Sequence, residues 1–151
     1  MHNAHMATRS HWRLTPQQSI EAECARRGKN AVVTGCIHLI DGDYNDTGLI
    51  MALGGPGASR LLDGRSHADD YWFRVWGIRG LLWAWNDSAI GAVRTALSDE
   101  SWRVREIAAK AVARHLIGDA LPGVVELRDD PVPRVRTAAN RAVTLLSNAG
   151  A

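Results

Sequence analysis

Apolar and polar positions along this chain recur at helical spacing, with no sustained alternation of the kind a strand requires. The first clear element opens at Thr15-Pro16. A threonine accepts the free N–H groups of a first turn, and a proline fits the first helical position. The pattern predicts a helix through Ile20 and Cys24 to Arg27, stopped by Gly28. A second helix is expected over about Asn30 to Ile40, with Val32, Val33, Cys36, Ile37 and Ile40 on its apolar side, so the two form an αα-hairpin. The polar run Asp41-Gly42-Asp43-Tyr44-Asn45-Asp46 reads as a loop. A short helix over about Thr47 to Leu53 follows, broken by Gly54-Gly55-Pro56, and another reaches about Leu62. Residues 63–70 are again expected to be loop. Met1 to Arg13 is polar, carries histidines and has no apolar signal segment, so residues 1–13 are expected to form a flexible tail, with Met6 an alternative start.

From Tyr71 the pattern repeats. Phe73-Arg74, Val104-Arg105 and Val135-Arg136 are one motif three times, at intervals of 31 residues. Each opens a helix with small residues at matched places: Gly77 and Gly80, Ala108 and Ala111, Ala139 and Ala142. Asp99 and Asp130 each lie six residues before an arginine of the motif, and an apolar helix precedes each of them, Ala89 to Leu97 and Leu121 to Leu127. A period of this length marks stacked supersecondary units, none of which buries its apolar face alone.

The segments from Leu97 to Arg105 and from Asp130 to Arg136, each followed by a small-residue helix, resemble the short HEAT-like repeats of the phycobilin-lyase type, which also occur in many bacterial proteins. The resemblance is strong over about 87–148 and weaker over 71–86, and it does not clearly cover 14–62. It implies an all-α fold, a right-handed α-solenoid of antiparallel helical hairpins with about nine helices. The expected organisation is a single domain after the tail, with residues 14–70 as N-terminal hairpins (degenerate repeats or a cap) and residues 71–148 as the repeats. The resemblance also implies that the repeated Asp and Arg pair across units. Arg74, Arg105 and Arg136 are therefore read as structural. Lyase activity does not carry over, because repeats of this kind serve many functions.

Each second helix keeps a further set of side chains. At 100° per residue, Arg103, Lys110 and Arg114 fall within about 40° of one another. A shift of 31 residues finds Arg134 and Arg141; the opposite shift finds Trp72, Arg79 and Trp83, with Trp76 beside them. The resemblance implies that second helices line a concave surface, so tryptophans would occupy one end of it and basic side chains the rest. Trp and Arg are the commonest binding anchors. Two plainer readings stand beside this one: the tryptophans belong to the core, since the segment 71–86 is apolar nearly all round, and the basic stripe is a solvated helix face.

Composition changes this picture little. The chain has 151 residues, 46% of them hydrophobic, and a net charge of +2. Residues 1–70 carry 7 basic and 8 acidic side chains, residues 71–151 carry 11 and 8, so only the second half is mildly basic. Cys24 and Cys36 form no CxxC and sit in apolar patterns, as free thiols in a reducing cytoplasm would. No apolar run is long enough to span a bilayer. The run Asp41-Gly42-Asp43-Tyr44-Asn45 starts like a calcium loop, but Asp46 stands where glycine is required and Ala52 where glutamate is. Gly54-Gly55-Pro56-Gly57 lacks the Lys-Ser/Thr of a phosphate loop. There is no HExxH and no His-Glu pair of the di-iron repeat kind; His115 reads as a partly buried structural residue, and Cys24 or Cys36 with His38 makes no convincing nucleophile. No catalytic residue, metal or cofactor is therefore expected. The reading is a non-enzymatic, cytoplasmic scaffold that binds a protein partner carrying acidic and apolar residues, or associates with itself through exposed tryptophans. The alternatives are nucleic-acid binding on the same surface and an enzyme with a site in the N-terminal half.

Overall fold

The N-terminal boundary is set by a reciprocal cap. Thr15 Oγ1 accepts the Gln18 backbone N–H at 3.1 Å, and Gln18 Oε1 accepts the Thr15 N–H at 3.0 Å. The computed structural model describes residues 14–63 and 67–150, so the expected tail, residues 1–13, lies outside the described residues. Helix α1 (Pro16–Arg27) leads through Gly28 directly into α2 (Lys29–Ile40). Gly28 turns the chain at φ +92°, a conformation that L side chains rarely adopt. After the polar loop come α3 (Thr47–Gly54) and α4 (Ala58–Leu62). The repeat region holds α5 (Tyr71–Trp83), α6 (Ile90–Ala96), α7 (Trp102–His115), α8 (Leu121–Glu126) and α9 (Pro133–Ala149). No strand occurs among the described residues.

The helices stack in hairpins, as an all-α solenoid. The longer helices α5, α7 and α9 lie side by side, each packed extensively on the next, and α2 packs on the free flank of α5. Helices α6 and α8 back α7 and α9 as the first members of their hairpins, while α3 lies against α1 and α5. Two elements depart from the periodic reading. Helix α5 stops at Trp83 instead of continuing to residue 86, because Ala84 takes an extended backbone (φ −123°, ψ 109°). The first helices of the later hairpins are shortened to α6 and α8 by single 3₁₀ turns at Asp87–Ala89 and Leu127–Asp129. Asn86 caps the first of these turns, accepting the Ser88 N–H at 3.0 Å.

The small residues do what close stacking requires. A Cβ on Gly77 would lie 2.9 Å from the Cys36 carbonyl oxygen, and one on Gly80 would lie 2.5 Å from Cys36 Sγ, so α2 seats directly on α5. Ala108, Ala111, Ala139 and Ala142 are fully buried at the matching places.

Polar side chains tie the units together. Arg74 Nε and Nη2 donate to the Asp99 carboxylate at 2.8 and 3.2 Å, and Arg105 repeats the fork on Asp130 at 2.8 and 3.3 Å. A further donor on each of these arginines, and one on Arg136, reaches back. Arg74 Nη1 donates to Tyr44 Oη at 2.8 Å, Arg105 Nη1 to the Asp99 carbonyl at 2.8 Å and Arg136 Nη1 to the Asp130 carbonyl at 2.7 Å. Burial opposes the charge on Arg74, but its bonds to Asp99 and Tyr44 outweigh that cost and raise its pKa. Burial likewise opposes ionisation of Asp130, yet the Arg105 fork and the Val132 N–H lower its pKa. The expected pairing of Asp and Arg across units is thus present, and it puts Arg74, Arg105 and Arg136 in a structural role.

Candidate functional site

The faces that α5, α7 and α9 turn away from α6 and α8 carry most of the residues singled out by periodicity. Between α5 and α7 lies a cleft of about 250 Å³, whose walls include Trp72, Arg79, Arg103, Lys110 and Arg134. Between α7 and α9 two further grooves, of about 370 and 230 Å³, include Lys110, Arg134, Arg141 and Arg114. These three hollows together hold the cations Arg79, Arg103, Lys110, Arg114, Arg134 and Arg141 against one carboxylate, Glu106.

Trp76 is a correction to the expected surface. It is 7% exposed and belongs to the core. Its ring meets Phe73 edge-on at 5.8 Å and lies so close to Gly54 that a Cβ there would fall 2.6 Å from it. The cause is tertiary: α3 covers that side of α5, which no periodicity in α5 could reveal. Trp72 and Trp83 are half-buried. No described tryptophan is exposed, so the expected self-association through exposed tryptophans loses its basis; Trp12 lies outside the described residues.

The rings that remain at the surface are engaged by arginines. The Arg103 guanidinium sits 4.6 Å from the Trp102 ring centroid, 5.5 Å from Trp72 and 5.6 Å from Tyr71. Arg134 lies 5.4 Å from Trp102, and Arg114 lies 4.2 Å over Trp83. Arg114 also donates from Nε to the Leu82 carbonyl, and Arg79 donates from Nη2 to the Leu53 carbonyl at 2.5 Å. Burial lowers the Arg79 pKa, and its Nε, like Trp83 Nε1, is buried without a hydrogen-bond partner among the described residues.

Trp102 and Glu106 are the members that the helical stripe left out. Trp102 stands 31 residues after Tyr71, beside Arg103, and that interval was the available signal. Glu106 is 9% exposed and takes Arg134 at 2.9 Å and Lys110 at 3.6 Å, so it offsets part of the basic stripe. Asp99 does not, because it is committed to Arg74.

Other candidates stand apart from this face. His115 stacks on Trp85 at 4.1 Å and 11°, and its Nε2 donates to the Leu81 carbonyl at 2.7 Å. Cys36 is fully buried and its thiol is pushed up to about 12, Cys24 is half-buried and His38 is exposed; both cysteines are free. Asp46 caps Leu49 and pairs with Arg27 at 2.9 Å, while Asp43 accepts the Asn45 N–H, so these two aspartates of the loop serve the structure around it. No cluster of three metal-binding side chains occurs among the described residues, and no described helix is long and apolar enough to cross a membrane. Two larger hollows, of about 380 and 440 Å³, lie between α6 and α8; the walls of both include Arg94, with Asp119 in the first and Glu126 and Asp129 in the second.

Comparison with known proteins agrees with the geometry. The HEAT-repeat family matches residues 58–144, more than half of the chain. No curated protein and no solved structure matches it. The 31-residue interval, the Arg–Asp forks and helices α5 to α8 lie within that matched span, and the chain belongs to the HEAT-repeat family.

Proposed function

We propose that this chain is a non-enzymatic scaffold that binds a protein partner through the shared face of α5, α7 and α9. The observation that carries the reading is the concentration of arginines held against aromatic rings on one side of the stack, with Glu106 the one carboxylate among the residues lining its three hollows. Pre-positioned guanidiniums and flat apolar rings are the usual energetic anchors of interfaces. HEAT repeats in general serve as interaction scaffolds, which supports the same reading.

The basic charge also raises nucleic-acid binding. Two features favour a protein over a nucleic acid. Stacking of bases needs open ring surface, whereas arginines already lie against Trp72, Trp83 and Trp102. Glu106 also pairs with Lys110 and Arg134, two of the cations that a phosphate backbone would use.

The test has two arms. Affinity capture with the wild-type protein is compared with capture by the charge swap Arg103→Glu with Arg134→Glu, and the partner is expected only with the wild type. In parallel, a fluorescent mixed-sequence duplex and a single strand are titrated at increasing salt, with tryptophan quenching as readout. Absence of binding at low salt agrees with a protein partner. Binding that falls steeply with salt transfers the face to nucleic acid.

A further inference from the structure

The cations on this face are unequally satisfied. Lys110 and Arg134 share Glu106, and Arg114 is engaged by Trp83 and the Leu82 carbonyl. Arg79 and Arg103 have no carboxylate partner among the described residues. They are unsatisfied in different ways. Arg103 is held by ring contacts alone, and a ring attracts a guanidinium without using its N–H donors as a carboxylate does. Its fork is positioned, yet free to donate. Arg79 is half-buried, with one bond to a carbonyl and a buried, unpaired Nε. A charge in that position carries a desolvation cost that an arriving anion offsets.

Both guanidiniums line the same cleft between α5 and α7, together with Val75 and Ile107. Its volume, about 250 Å³, lies below the ~300–1,000 Å³ usual for small-molecule pockets and suits individual side chains. Glu106 lines it too, and its charge disfavours a dianionic phosphoryl group more than a single carboxylate.

We propose that this cleft is the anchor of the binding face, taking an aspartate or glutamate side chain of a partner polypeptide on Arg79 and Arg103 while an adjoining apolar side chain of the same segment covers Val75 and Ile107. The proposal rests on the partner-binding reading above and specifies its chemistry. A planar guanidinium matches a carboxylate with two parallel N–H donors, which gives direction as well as attraction. The apolar neighbour excludes water from that pair and strengthens it.

The experiment is selection of a random displayed-peptide library on the wild-type protein, followed by titration of the best synthetic peptide, its Gln or Asn analogue and the protein variants. The expected result is enrichment of sequences with a carboxylate beside a large apolar residue. Replacing that carboxylate by its amide weakens binding about tenfold or more, and so does Arg103→Gln. The two changes together cost little beyond either one, because they remove the same contact. Arg103→Lys retains charge but loses the fork, and gives an intermediate loss. Arg128→Gln, an exposed change outside the cleft, leaves binding unchanged, and thermal melting of each variant separates loss of binding from loss of fold. Peptides without an acidic residue, or peptides indifferent to both Arg103→Gln and Arg79→Gln, overturn the cleft as anchor and leave the scaffold reading standing. Failure to enrich any peptide also overturns the proposal, and the nucleic-acid titration above then decides whether the scaffold reading falls with it.

Discussion

Arg74 and Asp99 are 25 residues apart in sequence and 2.8 Å apart in space, and Arg105 and Asp130 repeat both figures. With the carbonyl bonds of Arg105 and Arg136, these forks form one polar line from Tyr44 through Arg74, Asp99, Arg105 and Asp130 to Arg136. The Arg105 and Asp130 side chains are only 15% and 5% exposed, so each depends on the other for the charge it keeps out of water. Asp130→Ala is expected to cost about 3–5 kcal/mol, read from urea unfolding, because it strands a partly buried guanidinium. The joint replacement of Arg105 by Met and Asp130 by Leu should recover most of that loss. A double variant as unstable as the single one would mean that the pair contributes net stability and not only register.

The same substitution should have opposite signs at two glycines. Gly77→Ala places a Cβ 2.9 Å from the Cys36 carbonyl, so α2 and α5 must part, at about 1–3 kcal/mol. At Gly91 in α6 a Cβ meets nothing within 4 Å, and Gly91→Ala should add about 0.5–1 kcal/mol through helix propensity alone. Melting temperatures of the two variants, measured against the wild type, check both signs.

His115 is expected to make the fold sensitive to mild acid. Burial lowers its pKa below the ordinary 6.5, and the neighbouring Arg114 charge adds to this, against the bond to Leu81. The unfolded chain therefore takes up its proton first as pH falls. The stability contribution is complete above 6.5 and declines as pH drops from there toward the folded value. Urea unfolding compared at about pH 7 and about pH 5 should show a smaller loss in His115→Gln than in the wild type. Parallel losses in the two proteins would remove His115 as the source.

The two thiols should separate by reactivity. Cys36 is fully buried, with its thiol pushed up to about 12, whereas Cys24 is half-buried and its pKa is raised by burial and by Glu23. A thiol reagent at mildly alkaline pH should label Cys24 in the native protein, and Cys36 only after denaturant is added. Labelling of Cys36 in the native state at the rate of Cys24 would show that the α2–α5 contact opens readily.

The sequence by itself determined the stack. The 31-residue interval identified α5, α7 and α9 as equivalent, Thr15-Pro16 and Gly28 marked the first helix, and Gly77 and Gly80 announced a helix seated at close range. These features are local or repeated, so they survive without knowledge of neighbours. What only the tertiary structure decided is which side of each helix stays open. Helical spacing gives an angle around an axis and says nothing of what covers that angle. Trp76 shares the exposed-looking sector of α5, but α3 lies over it. Trp102 and Glu106 fall outside the stripe of basic residues, yet the packing of α7 between α5 and α9 brings Trp102 to Arg134 and Glu106 to both Arg134 and Lys110. The partner of Arg79 is a backbone carbonyl of α3, which no side-chain pattern encodes. The cleft between α5 and α7 was therefore legible as a set of residue types, and its unsatisfied charges only as a consequence of packing.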